Sequence, residues 1–191
     1  MANDATKVSF GKPKVGGAVF TAPLGTTLPT AASGELDSAF TDHCLGYISE
    51  DGLSNSNSPS VNKLKAWGGD VVATTQTEKP DTWKMKYIES LNIDVLKLVY
   101  GDENVSGALN TGITIRANSK EQPARAFVID MALPDGTIER HVIPNAKVSE
   151  IGEIVYKDTD PIAFDVTLDA MPGDEAFGFD THKTFIIKAA G

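Results

Sequence analysis

Thr82-Trp83-Lys84-Met85-Lys86-Tyr87-Ile88-Glu89-Ser90-Leu91-Asn92-Ile93-Asp94-Val95-Leu96-Lys97-Leu98-Val99-Tyr100-Gly101 is the stretch whose reading decides the fold. Trp83, Met85 and Tyr87 alternate with Lys84 and Lys86, the period of two that marks a half-buried strand. The spacing then changes. Leu91, Val95, Leu98 and Val99 recur at the helical interval, Ser90 or Asn92 can cap the start, and Gly101 stands where a helix stops. Just upstream, residues 61–70 and 71–77 read as two further strands on either side of Gly68-Gly69. One strand therefore feeds directly into the only convincing helix, and that helix forms a side layer on a chain otherwise built of strands.

Toward the C-terminus the strand signals continue. Residues 113–116 form one candidate, and Phe127, Ile129, Met131 and Leu133 alternate on another. Pro134-Asp135-Gly136 is a tight turn, because glycine tolerates the positive φ that hairpin turns demand. Residues 137–143 return and stop at Pro144. Residues 148–156 are apolar in both phases, with a bulge expected at Gly152. Ile162, Phe164, Val166 and Leu168 form the cleanest alternation, opposite Ala163, Asp165, Thr167 and Asp169, and residues 184–187 close the series. Residues 102–112 read as a loop.

Toward the N-terminus, residues 1–17 read as a flexible arm, rich in glycine and lysine. A single domain then spans 18–191. It starts with a short strand at 18–21, a turn-rich connector, and a helical turn somewhere in 31–40. A strand at 45–50 ends at Glu50-Asp51-Gly52. Leu53-Ser54-Asn55-Ser56-Asn57-Ser58-Pro59-Ser60 is low-complexity polar sequence, so an extended polar loop is expected over about 50–60. Val71-Val72-Ala73-Thr74-Thr75-Gln76-Thr77 favours strand but is polar or small on both faces. Such a strand is a solvated ribbon, or it is covered by another copy of the chain. With nine to eleven strands and one helix, the expected fold is mostly β: a β-sandwich or partial barrel of two packed sheets with one short flanking α-helix.

Composition excludes several classes. The formal charge is −9, from 26 acids against 17 bases, which opposes nucleic-acid affinity because phosphates are held by basic surface. The single cysteine, Cys44, allows no intrachain disulfide and no multi-cysteine zinc site. No apolar run reaches the length of a membrane helix and no secretion leader is evident, so a cytoplasm-like compartment is expected and no membrane partner. No phosphate-binding loop, dinucleotide fingerprint or hydrolase elbow occurs. His43 and Cys44 are adjacent, so strand geometry points them to opposite faces, unsuited to a nucleophile and its base. The acids between 158 and 175 lack the oxygen spacing of a calcium loop. No catalytic residue, cofactor or metal is expected. Two non-catalytic classes remain: a structural protein, and a carbohydrate-binding sandwich that would use exposed aromatics in a groove.

The order of several short motifs narrows this. Leu24-Gly25-Thr26-Thr27-Leu28-Pro29-Thr30, Gly46-Tyr47-Ile48-Ser49-Glu50-Asp51-Gly52 and Ala66-Trp67-Gly68-Gly69-Asp70 come first. The strand at 83–88 follows, leading to Leu98-Val99-Tyr100-Gly101. Phe127-Val128-Ile129-Asp130, Arg140, Ile143-Pro144 and Glu150-Ile151-Gly152-Glu153 complete the series. In this order and spacing the chain, from about 15 to 187, resembles the major tail tube proteins of long, non-contractile-tailed bacteriophages. Tube proteins of contractile tails and of secretion-type injection machines are the near alternative. The immunoglobulin-like C-terminal domain that many such proteins carry is not expected here.

The resemblance implies a structural virion protein. Its copies form hexameric rings that stack into the tail tube through which the genome is ejected. The inner sheet of each copy completes a barrel with its neighbours on oligomerisation. The implied partners are further copies of the chain, a tape measure protein, the tail terminator and the distal tail or tip proteins. Double-stranded DNA passes without specific binding, and assembly takes place in the host cytoplasm. Contacts between subunits and rings are expected at Glu50, Asp51, Leu53, Asn55, Asn57, Trp67, Asp70 and Thr75. Acidic lumen positions are expected at Glu139, Asp165 and Asp169, since negative charge repels phosphates.

Overall fold

Alternating apolar positions give twelve strands among the described residues, and two helices join them. The structure, a computed structural model, describes residues 3–188; the first two residues of the expected arm and the last three of the domain lie outside that range. In chain order come β1 (Lys12–Pro13), β2 (Val19–Pro23), α1 (Ser38–Thr41), β3 (Ile48–Ser56), β4 (Ser60–Lys65), β5 (Val71–Glu78) and β6 (Asp81–Tyr87). There follow α2 (Ile93–Tyr100), β7 (Val105–Ala108), β8 (Gly112–Ile115), β9 (Arg125–Ala132), β10 (Thr137–Ile151), β11 (Phe164–Ala170) and β12 (Lys183–Lys188).

The 15-residue β10 organises the main sheet. Its first half lies between β9 and β12, and its second half pairs with β11, which continues to β6 and then β3. β1 and β2 share the far side of β9. All these pairings are antiparallel, and the sheet curls into a half-barrel. Two hairpins stand outside it: β4 with β5, and β7 with β8.

The curl encloses the larger core. Trp83, Met85 and Tyr87 from β6 meet Phe164, Val166 and Leu168 from β11, with Phe127, Ile129 and Ile143 contributed by β9 and β10. α2 closes this core with Val95, Leu96, Leu98 and Val99, all at most 3% exposed. Burying side chains of this size contributes roughly 1.5–3 kcal/mol each. Asn92 is the N-cap, its Oδ1 accepting from the Asp94 N–H at 3.0 Å, and Gly101 ends the helix at φ 95°. β9 and β10 are buried on both faces: Ala126, Val128 and Val142 pack under Phe40 of α1 and Phe177 in a second cluster.

Several expectations need correction. The chain does not leave the sheet at Gly52. β3 runs on to Ser56, with a register shift between Ile48 and Leu53 that absorbs Glu50, Asp51 and Gly52. A bulge lets a strand take extra residues without ending, so of the expected 50–60 loop only 57–59 lies between strands. Pro144 does not end its strand, because its missing N–H falls at an irregularity between Ile143 and Ala146. The second bulge lies between Val148 and Glu150, not at Gly152, whose N–H donates to the Asp165 carbonyl just past the strand. Residues 105–108, expected as loop, are β7. The helical turn of 31–40 is a true second helix, α1, capped by Asp37. Leu91 precedes the α2 cap and is exposed, so it is not part of the apolar stripe. Within the expected flexible arm, β1 pairs with Met131 and Ala132, and the Lys14 ammonium lies 3.2 Å from Asp130.

Polar groups bury themselves in two clusters. Arg140 faces Asp130 across the β9–β10 hairpin in a two-pronged pair, Nε to Oδ1 at 2.6 Å and Nη2 to Oδ2 at 2.8 Å. Its Nη1 also donates to the carbonyls of Ala31 and Gly34. In the other cluster Asp81 accepts hydrogen bonds from Thr181 at 2.6 Å and Asn55 at 2.7 Å, and His182 Nδ1 lies at 2.5 Å. Burial alone would raise the Asp81 pKa, but these bonds outweigh it and hold the carboxyl below its ordinary value. His141 lies against the Trp83 ring at 5.0 Å, with Thr184 Oγ1 2.8 Å from Nδ1.

Burial, reinforced by repulsion from His182, pushes His141 down to about 4, even with a Glu139 oxygen 3.4 Å from Nε2. The unfolded chain, with a histidine near 6.5, then binds a proton that the folded chain refuses. Stability is therefore expected to be flat above pH 7 and to fall by about 3 kcal/mol as pH drops from about 6.5 to about 4. Asp81 acts in the same direction at lower pH, its contribution being lost as pH falls below about 3.8. Urea midpoints measured across this range check it. A His141→Gln variant that keeps the same slope between pH 6.5 and 4 would refute the assignment.

Candidate functional site

The β4–β5 hairpin projects from the fold as a free arm. Every residue of both strands is exposed, and among the described residues the two strands pair only with each other. The sequence explains this: neither strand offers a continuous apolar face that a core could cover. At the apex the Ala66 N–H donates to the Asp70 carbonyl at 2.8 Å and the Gly69 N–H to the Ala66 carbonyl at 3.0 Å. Gly68 and Gly69 hold φ values of 111° and 98°, which side-chain-bearing residues rarely adopt. This turn lifts Trp67 to the tip, where it is fully exposed. Val61, Leu64, Val71 and Val72 are also 49–64% exposed along the arm. An isolated two-stranded hairpin is marginal in water, and a solvated tryptophan is a ready anchor for a partner. Asp70 stands at this turn and Thr75 pairs with Asn62 midway along the arm.

The other expected contact residues lie along β3. Glu50 and Asp51 sit on the bulge, exposed. Leu53 leans against the main core, and Asn55 is tied to Asp81 and to the Thr82 carbonyl, so both side chains serve their own chain. Asn57 is half-buried, and its Oδ1 has no hydrogen-bond partner. The residues group as a hairpin set and a β3 set rather than as one patch.

A second surface is the face of the sheet turned away from the main core. Registers align Lys86 with Asp165, Lys84 with Thr167, Lys147 with Asp169 and Glu150 with Thr167. With Ser54 and Ser56 of β3 opposite Lys84 and Thr82, the face is wholly polar and its charges balance. Lys84 lies 4.0 Å from Glu150, and Lys147 pairs with Glu121. Asp165 and Asp169 share this face. Glu139 does not: it has the parity of His141 and Ile143 and lies half-buried on the other side of β10. The lysines of this face escape a reading of charge totals, although the period-two alternation of β6 already marks Lys84 and Lys86 as companions.

The four strands behind that face, β3, β6, β11 and residues 147–151 of β10, form a ribbon with two unpaired edges. Among the described residues β3 pairs only with β6, and residues 147–151 pair as a strand only with β11. Open edges invite pairing with another chain. An exposed arm, a polar face and two free edges suit association with further chains and contain no constellation for chemistry. A protein-family model described as phage tail tube protein matches residues 1–183 of the chain. No curated protein matches it.

Proposed function

Because this chain belongs to the phage tail tube protein family, we propose that its copies form six-membered rings that stack into the conduit for genome ejection. It is a structural component of a virion tail rather than an enzyme, and it assembles with itself into a tube. The observation that carries the finer reading is the four-stranded ribbon with two free edges. Its β3 edge joins the 147–151 edge of the next copy, so that the ribbons close into one barrel and leave no strand exposed.

The polar face of Asp165 and Asp169 then lines the lumen, since α2 covers the opposite side of the sheet. The lysines on this face lie beside acids, so no free basic stripe grips passing phosphates. Glu139 stays out of the lumen. The β4–β5 arm and the exposed β3 bulge, with Glu50 and Asp51, reach the adjacent ring. Length control by a tape measure protein, capping by terminator and tip proteins, and assembly in the host cytoplasm belong to the same proposal.

Electron microscopy of the concentrated protein, seeded with tail tips, tests it. Hollow tubes with six-fold end views are expected; a seeded protein that stays monomeric counts against the reading. Reversing Asp165 and Asp169 to lysine is expected to leave the tubes intact and slow DNA ejection, while Glu139→Lys leaves ejection unchanged. Equal ejection from all three proteins would remove the lumen assignment.

A further inference from the structure

We infer that the Trp67 tip of one copy seats in an apolar groove of another copy, the groove bounded by residues 24–30 and 172–177. The inference rests on self-assembly into a tube and names the socket for the arm. The groove has a volume of about 720 Å³ and is lined by Leu24, Leu28, Pro29, Pro144, Phe177 and Phe185, among others. It is an open, preformed trough large enough for an indole ring, the kind of concave apolar site that binds aromatic groups. Trp67 does not occupy the groove of its own chain, because it is fully solvent-exposed there.

Charge complementarity selects this occupant. Lys63 and Lys65 share one face of β4 just before the tip, and neither has an acidic partner among the described residues. The groove carries Asp174, and the adjoining depression, which shares residues 27–30, adds Glu35 and Asp37. The basic groups there are already engaged: Lys183 lies 3.6 Å from Asp180 and above the Phe177 ring, and Arg140 is paired with Asp130. An indole flanked by two free lysines thus meets an apolar trough rimmed by carboxylates. Knob and socket lie on different parts of one chain, so the contact is head-to-tail, the kind that builds a ring or an open filament rather than an isolated pair.

Cysteine cross-linking tests it. Cys44→Ala chains that carry Trp67→Cys or Leu28→Cys are polymerised, in equal minor amounts, together with an excess of Cys44→Ala chain, so that assembly does not depend on the two cysteine variants. A disulfide-linked dimer is expected in tubes and not in monomer, with no such link between Trp67→Cys and an outward Lys84→Cys control. Tubes without the Trp67–Leu28 link would overturn the inference while leaving tube formation standing. So would Leu28→Cys linking instead to Phe10→Cys in the N-terminal arm. If the wild-type chain forms no tubes even when seeded, it is the proposed function that fails. As a second readout, tryptophan quenching by acrylamide is expected to be lost on polymerisation, because Trp83 is already buried and Trp67 is the accessible one of the two. Quenching that persists in tubes overturns the seating of Trp67.

Discussion

Replacing Arg140 with alanine is expected to destabilise the folded chain by about 3–5 kcal/mol, the cost of leaving one partner of a buried ion pair alone. The Arg140 side chain is 1% exposed and that of Asp130 is fully buried, so water cannot take over the lost contacts. The loss also spreads, because Arg140 holds the carbonyls of Ala31 and Gly34, and Asp130 receives Lys14. One guanidinium thus fixes the segment before α1 against the β9–β10 hairpin. Against a total stability of about 5–15 kcal/mol, the variant should show a much lower urea midpoint. Replacing both partners with apolar residues, Arg140→Met with Asp130→Leu, is expected to recover much of the loss, since no charge is then stranded. A single variant that loses less than about 1 kcal/mol would mean that the pair behaves as a surface bridge.

Cutting back the β4–β5 arm has the opposite profile. Joining Ser60 to Glu78, which already face each other, through a short turn removes the arm and nothing of the core. Folded-state stability is expected to change by no more than about 0.5 kcal/mol, as for surface changes in general, because no residue of either strand is buried. Polymerisation is expected to be abolished. Thermal unfolding and sedimentation of the same preparation check both halves. A shortened protein that still builds tubes of normal length and stability would show that the arm is not an assembly element, whereas one that unfolds would show that it supports its own domain.

The opening stretch translated well into structure because its signals are local. Trp83, Met85 and Tyr87 are buried as their alternation requires, and Asn92 and Gly101 bound the helix. The polar ribbon at 71–77 was legible for the same reason: a strand with no apolar face cannot be covered by its own core. Even the Arg140–Asp130 pair was within reach, since a turn centred on Asp135 sets 130 opposite 140. What escaped was set by register and by distance along the chain. β3 continues through Gly52 only because β6 lies beside it, and β10 passes Pro144 only because a bulge absorbs the missing donor. Glu139 resembled Asp165 and Asp169 in sequence, but the irregularity between Ile143 and Ala146 of one long strand placed it on another face.

The sequence by itself determined a mostly-β chain with a helix flanking the sheet, a polar strand beside Gly68-Gly69 that its own core cannot cover, and, through the order of its motifs, the family. Those properties follow from periodicities of two and 3.6, from turn residues and from the absence of apolar faces, all of which act over a few neighbours. Tertiary structure alone decided the curl of the sheet, the two free edges, the charge-balanced face, the exposed Trp67 tip, and the groove between residues 24–30 and 172–177. Each depends on pairing residues far apart in the chain, a hundred positions or more in cases such as Asp81 with His182, and no local pattern encodes which strand lies beside which.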